Sequence, residues 1–186
     1  VAQLGDQMRA LKRLKASHGV YFCTGNHEFY SGVEEWTHYL ESIGIHVFKN
    51  TNVILKKSSE SGVEEKLMIA GVYDLQGERF SEQFRFDPVK ASETTESVSC
   101  KILMTHNPQG ADVCAQAGFH LQLSGHTHAG QFYPFVFLAK LAHKYFEGLY
   151  QINEHSQVYV NRGTGFWGPP NRLGKMSEIT LLTLRS

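Results

Sequence analysis

Asn26, His27 and Glu28, then His106, then His126 and His128 are residues whose types and spacing could do chemistry. Each group follows directly on an apolar run: VYFCTGNHE at 20–28, KILMTHNP at 101–108 and LQLSGHTHAG at 121–130. A single histidine at a strand end is ordinarily a hydrogen-bonded structural residue. Three such ends in one small domain, placed where parallel strands converge, point instead to a shared site. Imidazole and amide-oxygen donors suit first-row divalent ions such as manganese, iron or zinc. The polar clusters GNHE, THNP and GHTH hold no thiolate, which argues against a structural zinc site. Gly25 and Gly125 let the backbone turn close to a ligand without a Cβ in the way. His126 and His128 are two residues apart, so in an extended segment they face opposite ways. They reach one ion only if the chain bends, and otherwise can serve two neighbouring ions.

Bringing these clusters together requires strands that end at a common edge. Leu4, Met8, Leu11 and Leu14 recur at helical spacing with basic residues between them, which predicts an amphipathic helix over 2–16. A buried strand follows at 20–23, with 25–28 as the loop at its carboxyl end. A second helix is predicted over 33–43, with Trp36, Leu40 and Ile43 on one face and Gly44 stopping it. Strands are predicted at 46–48, 53–57 and 66–72, the last two joined by a polar hairpin loop within 56–65. Residues 74–99 read as a turn-rich excursion with at most a short helix. Strands at 101–104 and 121–123 enclose a helix near 109–117, and strands at 158–161 and 178–184 finish the chain. There is no internal repeat and no low-complexity segment. The pattern predicts an α/β architecture with its polar clusters at strand ends, the edge where open α/β sheets bind ligands.

Composition bounds the remaining possibilities. With 186 residues, 41% hydrophobic and 19% charged, the chain suits one globular domain with a real core. Its 18 basic and 18 acidic residues cancel, so no field favours nucleic acid or an anionic membrane surface. Cys23, Cys100 and Cys114 lie in or near apolar runs and read as reduced core thiols. No signal peptide is visible, and no apolar run is long enough to span a bilayer. The chain begins at Val1 rather than Met, so the expectation is a piece of a longer protein.

GNHE, then a strand ending THNP, then another running into GHTHAGQ, resemble in that order the calcineurin-like metallophosphoesterase superfamily, whose motifs run D-x-H, GDxxD, GNH[DE], H, GHxH. GNHEFYSG, SGHTHAGQ and the closing NRGTG, GPPNRLG and EITLLTLR are similar to its membrane-associated branch of bacterial and vertebrate transmembrane proteins. The resemblance covers essentially the whole chain. It implies a β-sandwich flanked by helices in four αββα layers, and a phosphoester hydrolase using two divalent metal ions to activate water and neutralise phosphoryl charge. By the same resemblance Asn26, His106 and His126 are ligands of the second ion and His128 of the first. His27 stabilises or protonates the leaving oxygen and Glu28 orients it. The implied substrate is a phosphate ester, whether monoester, diester or lipid-linked, and the parent protein would be membrane-associated through upstream segments.

The D-x-H and GDxxD motifs have no clear counterpart before residue 25. Gly5-Asp6 offers a GD, but only four residues precede it and the helical pattern passes through, so Asp6 reads as a solvated helix residue. The expectation is one domain over 1–186 that lacks its first metal-binding strands, keeps three candidate ligands for one ion and one for the other, and is catalytically incomplete. A non-catalytic metal-binding or interaction module of the same fold is the alternative. Among other residues, Asp74 reads as a turn cap rather than a site acid. Arg162 could contact substrate phosphate or clamp a carbonyl, and Tyr30 could line the cleft or join the core. His18, His38, His46, His120, His143 and His155 lack partner motifs. The aromatic stretch 132–149 is either a core-covering insertion or an interfacial loop admitting a lipid-like substrate.

Overall fold

A computed structural model of the chain describes residues 8–58 and 64–184. The β-branched and apolar runs pair into two sheets. Strands β1 (Tyr21–Cys23) and β2 (His46–Phe48) form a small parallel pair in which Tyr21 faces His46 and Cys23 faces Phe48. The larger sheet contains β3 (Thr51–Ser58), β4 (Glu64–Gly71), β5 (Cys100–Met104), β6 (Leu121–Ser124), β7 (Gly148–Gln151) and β8 (Gln157–Val160), in the order β3-β4-β5-β6-β8-β7. Its inner strands β4, β5, β6 and β8 are parallel and its edges are antiparallel. Parallel inner strands deliver all their carboxyl ends to one edge, which gathers the clusters of the second and third motifs. The α/β class expected from the sequence is the one observed.

Helices α1 (Asn26–Tyr30), α2 (Val33–Ser42), α3 (Pro88–Ser92), α4 (Ala111–Gln116) and α5 (Phe135–Ala142) cover these sheets. The main core joins Met68, Ala70 and Val72 of the β4 segment to Leu103, and to Ala91 and Cys114 from α3 and α4. Phe119 packs into the same cluster at 2% exposure, and burying a ring of that size contributes about 1.5–3 kcal/mol. Leu40 of α2 packs with Ile45 and Val47 over the small sheet. The sheets meet tightly where Gly71 faces Phe48: a Cβ on Gly71 would lie 2.5 Å from that ring's Cβ.

Several expectations change on folding. Residues 25–28, expected as a loop, open the helical turn of α1, because the Glu28 carboxylate turns back to accept the Gly25 amide at 2.6 Å and caps it. Of the helix expected over 2–16, the described part is a 3₁₀ segment at Arg9–Arg13; residues 1–7, Asp6 among them, lie outside the described residues. Residues 178–184 form no strand. Strand β8, beside which they run, already pairs with β6 and β7 and offers them no free edge. They are tied instead by the Glu178 amide to the Gly163 carbonyl, and Ile179 and Leu181 are 91% and 92% exposed. Strand β7 was not anticipated, because its residues fall at the end of the long aromatic stretch.

Candidate metal centre

Three chain segments converge at the carboxyl ends of β1, β5 and β6. Asn26 Oδ1 lies 3.0 Å from His106 Nε2, and His126 Nδ1 lies 3.1 Å from the same nitrogen. These residues are 80 and 20 positions apart in sequence. The floor is tightly made: a Cβ on Gly25 would sit 2.9 Å from His106 Cγ, and the Gly125 amide donates to the His106 carbonyl at 3.0 Å. Burial, reinforced by neighbouring imidazoles, holds His106 down to about 3 and His126 to about 4, so both rings are neutral at physiological pH.

The GHTH segment is bent, not extended. His126, His128, Ala129 and Gln131 all take positive φ, at 67°, 50°, 50° and 60°. Each such non-glycine conformation costs of order 1–3 kcal/mol and persists only where the surroundings impose it. The imposing contacts are visible: Thr127 Oγ1 donates to the Phe146 carbonyl at 2.7 Å, and a Cβ on Gly130 would lie 2.5 Å from Val136 Cα. The bend brings both histidines to one cleft, as the sequence required if they were to act together. Gln131, fully buried, extends the device. Its amide nitrogen donates to the Trp167 and Pro169 carbonyls, both at 2.9 Å, and its oxygen accepts the Trp167 amide at 2.7 Å. The last glutamine of GHTHAGQ thus fastens the loop carrying Trp167 beside the histidines.

His27 also faces this cleft, whose volume is about 670 Å3. The Tyr30 ring meets the His27 ring edge-on at 5.8 Å, while the Tyr30 hydroxyl donates to Gln76 Oε1 at 2.9 Å. Glu28 Oε2 accepts the Gly25 amide, in the turn that carries both Glu28 and His27. Its carboxyl is raised by burial, against the lowering effect of the Gly25 and Glu28 backbone amides and of His27. The Arg162 guanidinium is paired with Glu178 at 2.7 Å and is not among the cleft-lining residues. Asp74 is the turn cap read from the sequence: Oδ1 accepts the Gln76 amide at 3.0 Å.

Two residues that the sequence reading passed over stand at the site. His143 lines the cleft with its ring 5.7 Å from that of His126, and its Nδ1 is buried without a hydrogen-bond partner. Arg172 reaches His128 Nδ1 at 3.2 Å. His143 lies in no motif, and Arg172 lies in GPPNRLG, a family-like stretch that assigned it no role.

Do these residues fit a metal ion? Ligand atoms about 2.1 Å from a first-row ion and at right angles are about 3.0 Å apart. That is the spacing of His106 Nε2 from both Asn26 Oδ1 and His126 Nδ1. A proton on His106 Nε2 can serve only one of its two contacts, whereas a cation between the three atoms satisfies all of them. Asn26, His106 and His126 therefore fit one ion. Among the described residues no comparable set of donors stands ready for a second ion. His128 shares its Nδ1 with a guanidinium, and among the described residues no three His, Cys, Asp or Glu side chains are grouped closely enough to hold a metal.

Comparisons with known proteins point to one family. The family model described as calcineurin-like phosphoesterase matches residues 3–130, which include all three clusters. The chain is 36% identical, over its whole length, to a transmembrane protein with metallophosphoesterase domain from Danio rerio, covering 43% of that protein. It is 38% identical over 95% of its length to the protein of the same name from Bos taurus, covering 41% of it. An uncharacterized metallophosphoesterase of Helicobacter pylori strain J99 is 37% identical over 94% of the chain and 45% of that protein. The chain thus spans less than half the length of these relatives. No solved structure gives a match. With the motif order, the strand-end geometry and the family model in agreement, the chain belongs to the calcineurin-like phosphoesterase family.

Proposed function

We propose that the chain is the catalytic region of a metal-dependent phosphoester hydrolase. The observation that carries this reading is that Asn26 Oδ1 and His126 Nδ1 lie 3.0 and 3.1 Å from His106 Nε2, the three residues coming from separate strand ends. These residues would hold one divalent ion, such as manganese, iron or zinc, and the family relationship implies a second. When bound, such ions polarise the phosphoryl oxygens and lower the pKa of water. The chain's own residues do the rest. His27, facing the cleft and outside the triad, donates to the leaving oxygen. Glu28 caps the turn that aims His27, and the bent GHTH segment presents His128 to the phosphate. The substrate is a phosphate monoester or diester.

The test is turnover of an aryl phosphate with added manganese by the full-length parent protein. Asn26→Ala and His126→Ala should each abolish it. Survival of more than a minor fraction in either variant overturns the assignment.

A second reading is a non-catalytic metal-binding or interaction module, favoured by the guanidinium on His128 and by the lack of a described carboxylate for a second ion. Calorimetric titration of the parent protein with manganese separates the two: two tight ions support the hydrolase, one weak ion or none the module. Membrane attachment of the parent is proposed from the two relatives named as transmembrane proteins. Among the described residues no helix is long and apolar enough to cross a membrane.

A further inference from the structure

The cleft that holds the histidines is chemically two-faced. One side is the imidazole floor. The other is an apolar wall, in which Phe135, Leu138, Ala139 and Ala142 of α5 stand opposite Phe166 and Trp167. Phe135 and Trp167 meet edge-on at 5.2 Å, so the two halves of the wall touch. The wall is not a slack surface: α5 is anchored by Val136 and Ala139, at 5% and 6% exposure, on Ala129 and Phe146 beside the GHTH bend. The opposite half is fastened by Gln131. The same motif turn therefore sets both the floor and the wall.

Leu138 and Phe166, both lining this cleft, nevertheless leave 64% and 59% of their surface exposed. Large apolar side chains held open beside a polar floor favour a ligand that covers them. Charge selects the other end of that ligand. Among the described residues lining the cleft none is a carboxylate, while the Arg172 guanidinium stands behind His128. Such a floor suits an anion.

We infer that the wall is a subsite for an alkyl chain, and that the cleft takes an amphiphilic phosphate ester as a single molecule, phosphate on the histidine floor and chain along α5. This deepens the hydrolase reading and rests on it for the chemistry at phosphorus. The binding itself needs no turnover.

The test is therefore a binding experiment on the full-length parent. Dodecylphosphonate, butylphosphonate and dodecanol, the first two not hydrolysable at their C–P bonds, are titrated by isothermal calorimetry below their aggregation concentrations, with and without manganese. Each methylene that the wall covers should tighten binding about fourfold. Dodecylphosphonate should accordingly bind at least a hundredfold tighter than butylphosphonate, and far tighter than dodecanol. Leu138→Asp, at a position exposed enough to keep the fold, should reduce the ratio between the two phosphonates at least tenfold. Phe137→Asp, next to it on α5 but outside the cleft lining, should leave the ratio unchanged. Equal affinities for the two phosphonates in both metal conditions overturn the subsite. So does dodecanol binding as tightly as dodecylphosphonate, or a ratio lost equally in both variants. Adsorption to plain phosphatidylcholine vesicles that is as strong as phosphonate binding, and lost in Leu138→Asp, assigns the wall to a bilayer surface and also overturns it. Chain-length selection in a protein without phosphatase activity would leave the subsite standing while the hydrolase reading fails.

Discussion

Arg172 Nη2 lies 3.2 Å from His128 Nδ1, and the same guanidinium donates to the carbonyls of Arg162 at 2.8 Å and Gly165 at 2.7 Å. A guanidinium only donates, so Nδ1 must accept, and neutral His128 carries its proton on Nε2. In that tautomer the ring offers no free lone pair to an ion, so the metal-ligand role that the family resemblance implies for His128 requires the Nε2 proton to leave. Long-range ¹H–¹⁵N NMR of the metal-free protein should show His128 protonated at Nε2. Arg172→Ala should remove that preference, and Arg172→Lys should not restore it, because one ammonium cannot reproduce the fork. An Nδ1–H tautomer in the unaltered protein would refute the arrangement.

Gly25 matters for contact rather than flexibility. A methyl group there would meet the His106 ring at 2.9 Å and push it out of the triad. Gly25→Ala should weaken manganese binding by about 10–100-fold with little change in thermal stability, since a displaced ligand is the lesion. Unchanged affinity by calorimetry would show that the His106 ring can give way.

His27 should separate chemistry from metal retention. It faces the cleft and lies outside the Asn26, His106 and His126 contacts. In the parent protein His27→Ala should retain its metal and lose roughly two to four powers of ten in turnover. Metal loss in that variant, measured by elemental analysis, would mean that His27 is a ligand.

Glu178 ties the last described segment to β8. Burial pushes its carboxyl up, but hydrogen bonds from Thr180, Tyr159 and Arg162 outweigh this and hold it at about 2. A carboxyl depressed by folding contributes stability above its unfolded pKa of about 4.3, and that contribution is lost as pH falls towards the folded value. Urea midpoints should therefore fall between about pH 4.5 and pH 2 in the unaltered protein, and Glu178→Gln should flatten that slope. Parallel slopes in the two proteins would remove Glu178 from the acid response.

The thiols should be inert. Burial, assisted at Cys23 by Glu28 and Asp74, pushes Cys23 and Cys114 up to about 12, and burial also raises Cys100. At pH 8 almost no thiolate is present, so iodoacetamide should label Cys23 and Cys114 only after denaturation, as mass spectrometry can read. Rapid labelling of the native protein would contradict the packing.

The residues that meet in the candidate site were legible in the sequence because they sit in short local motifs. GNHE, THNP and GHTHAG each follow an apolar run, and strand periodicity is a local property that survives without tertiary information. Parallel pairing of β5 and β6 brings His106 and His126 to one edge, and the packing of the small sheet against the large one brings Asn26, at the end of β1, to meet them. Local reasoning failed where a distant partner decides. Residues 178–184 have strand-like composition, but both edges of β8 are already paired, so no ladder forms. The loop at 25–28 became a helical turn because Glu28 caps Gly25. Nothing near Arg172 or His143 in sequence points to a histidine 44 or 17 positions away, whereas the packed GHTH bend puts both beside it. The residue types that can hold a metal were written in the chain. Which nitrogen faces which partner, and which apolar residues line the cleft opposite, were decided by the left-handed turns at His126, His128, Ala129 and Gln131, because non-glycine residues adopt that backbone only when long-range contacts impose it.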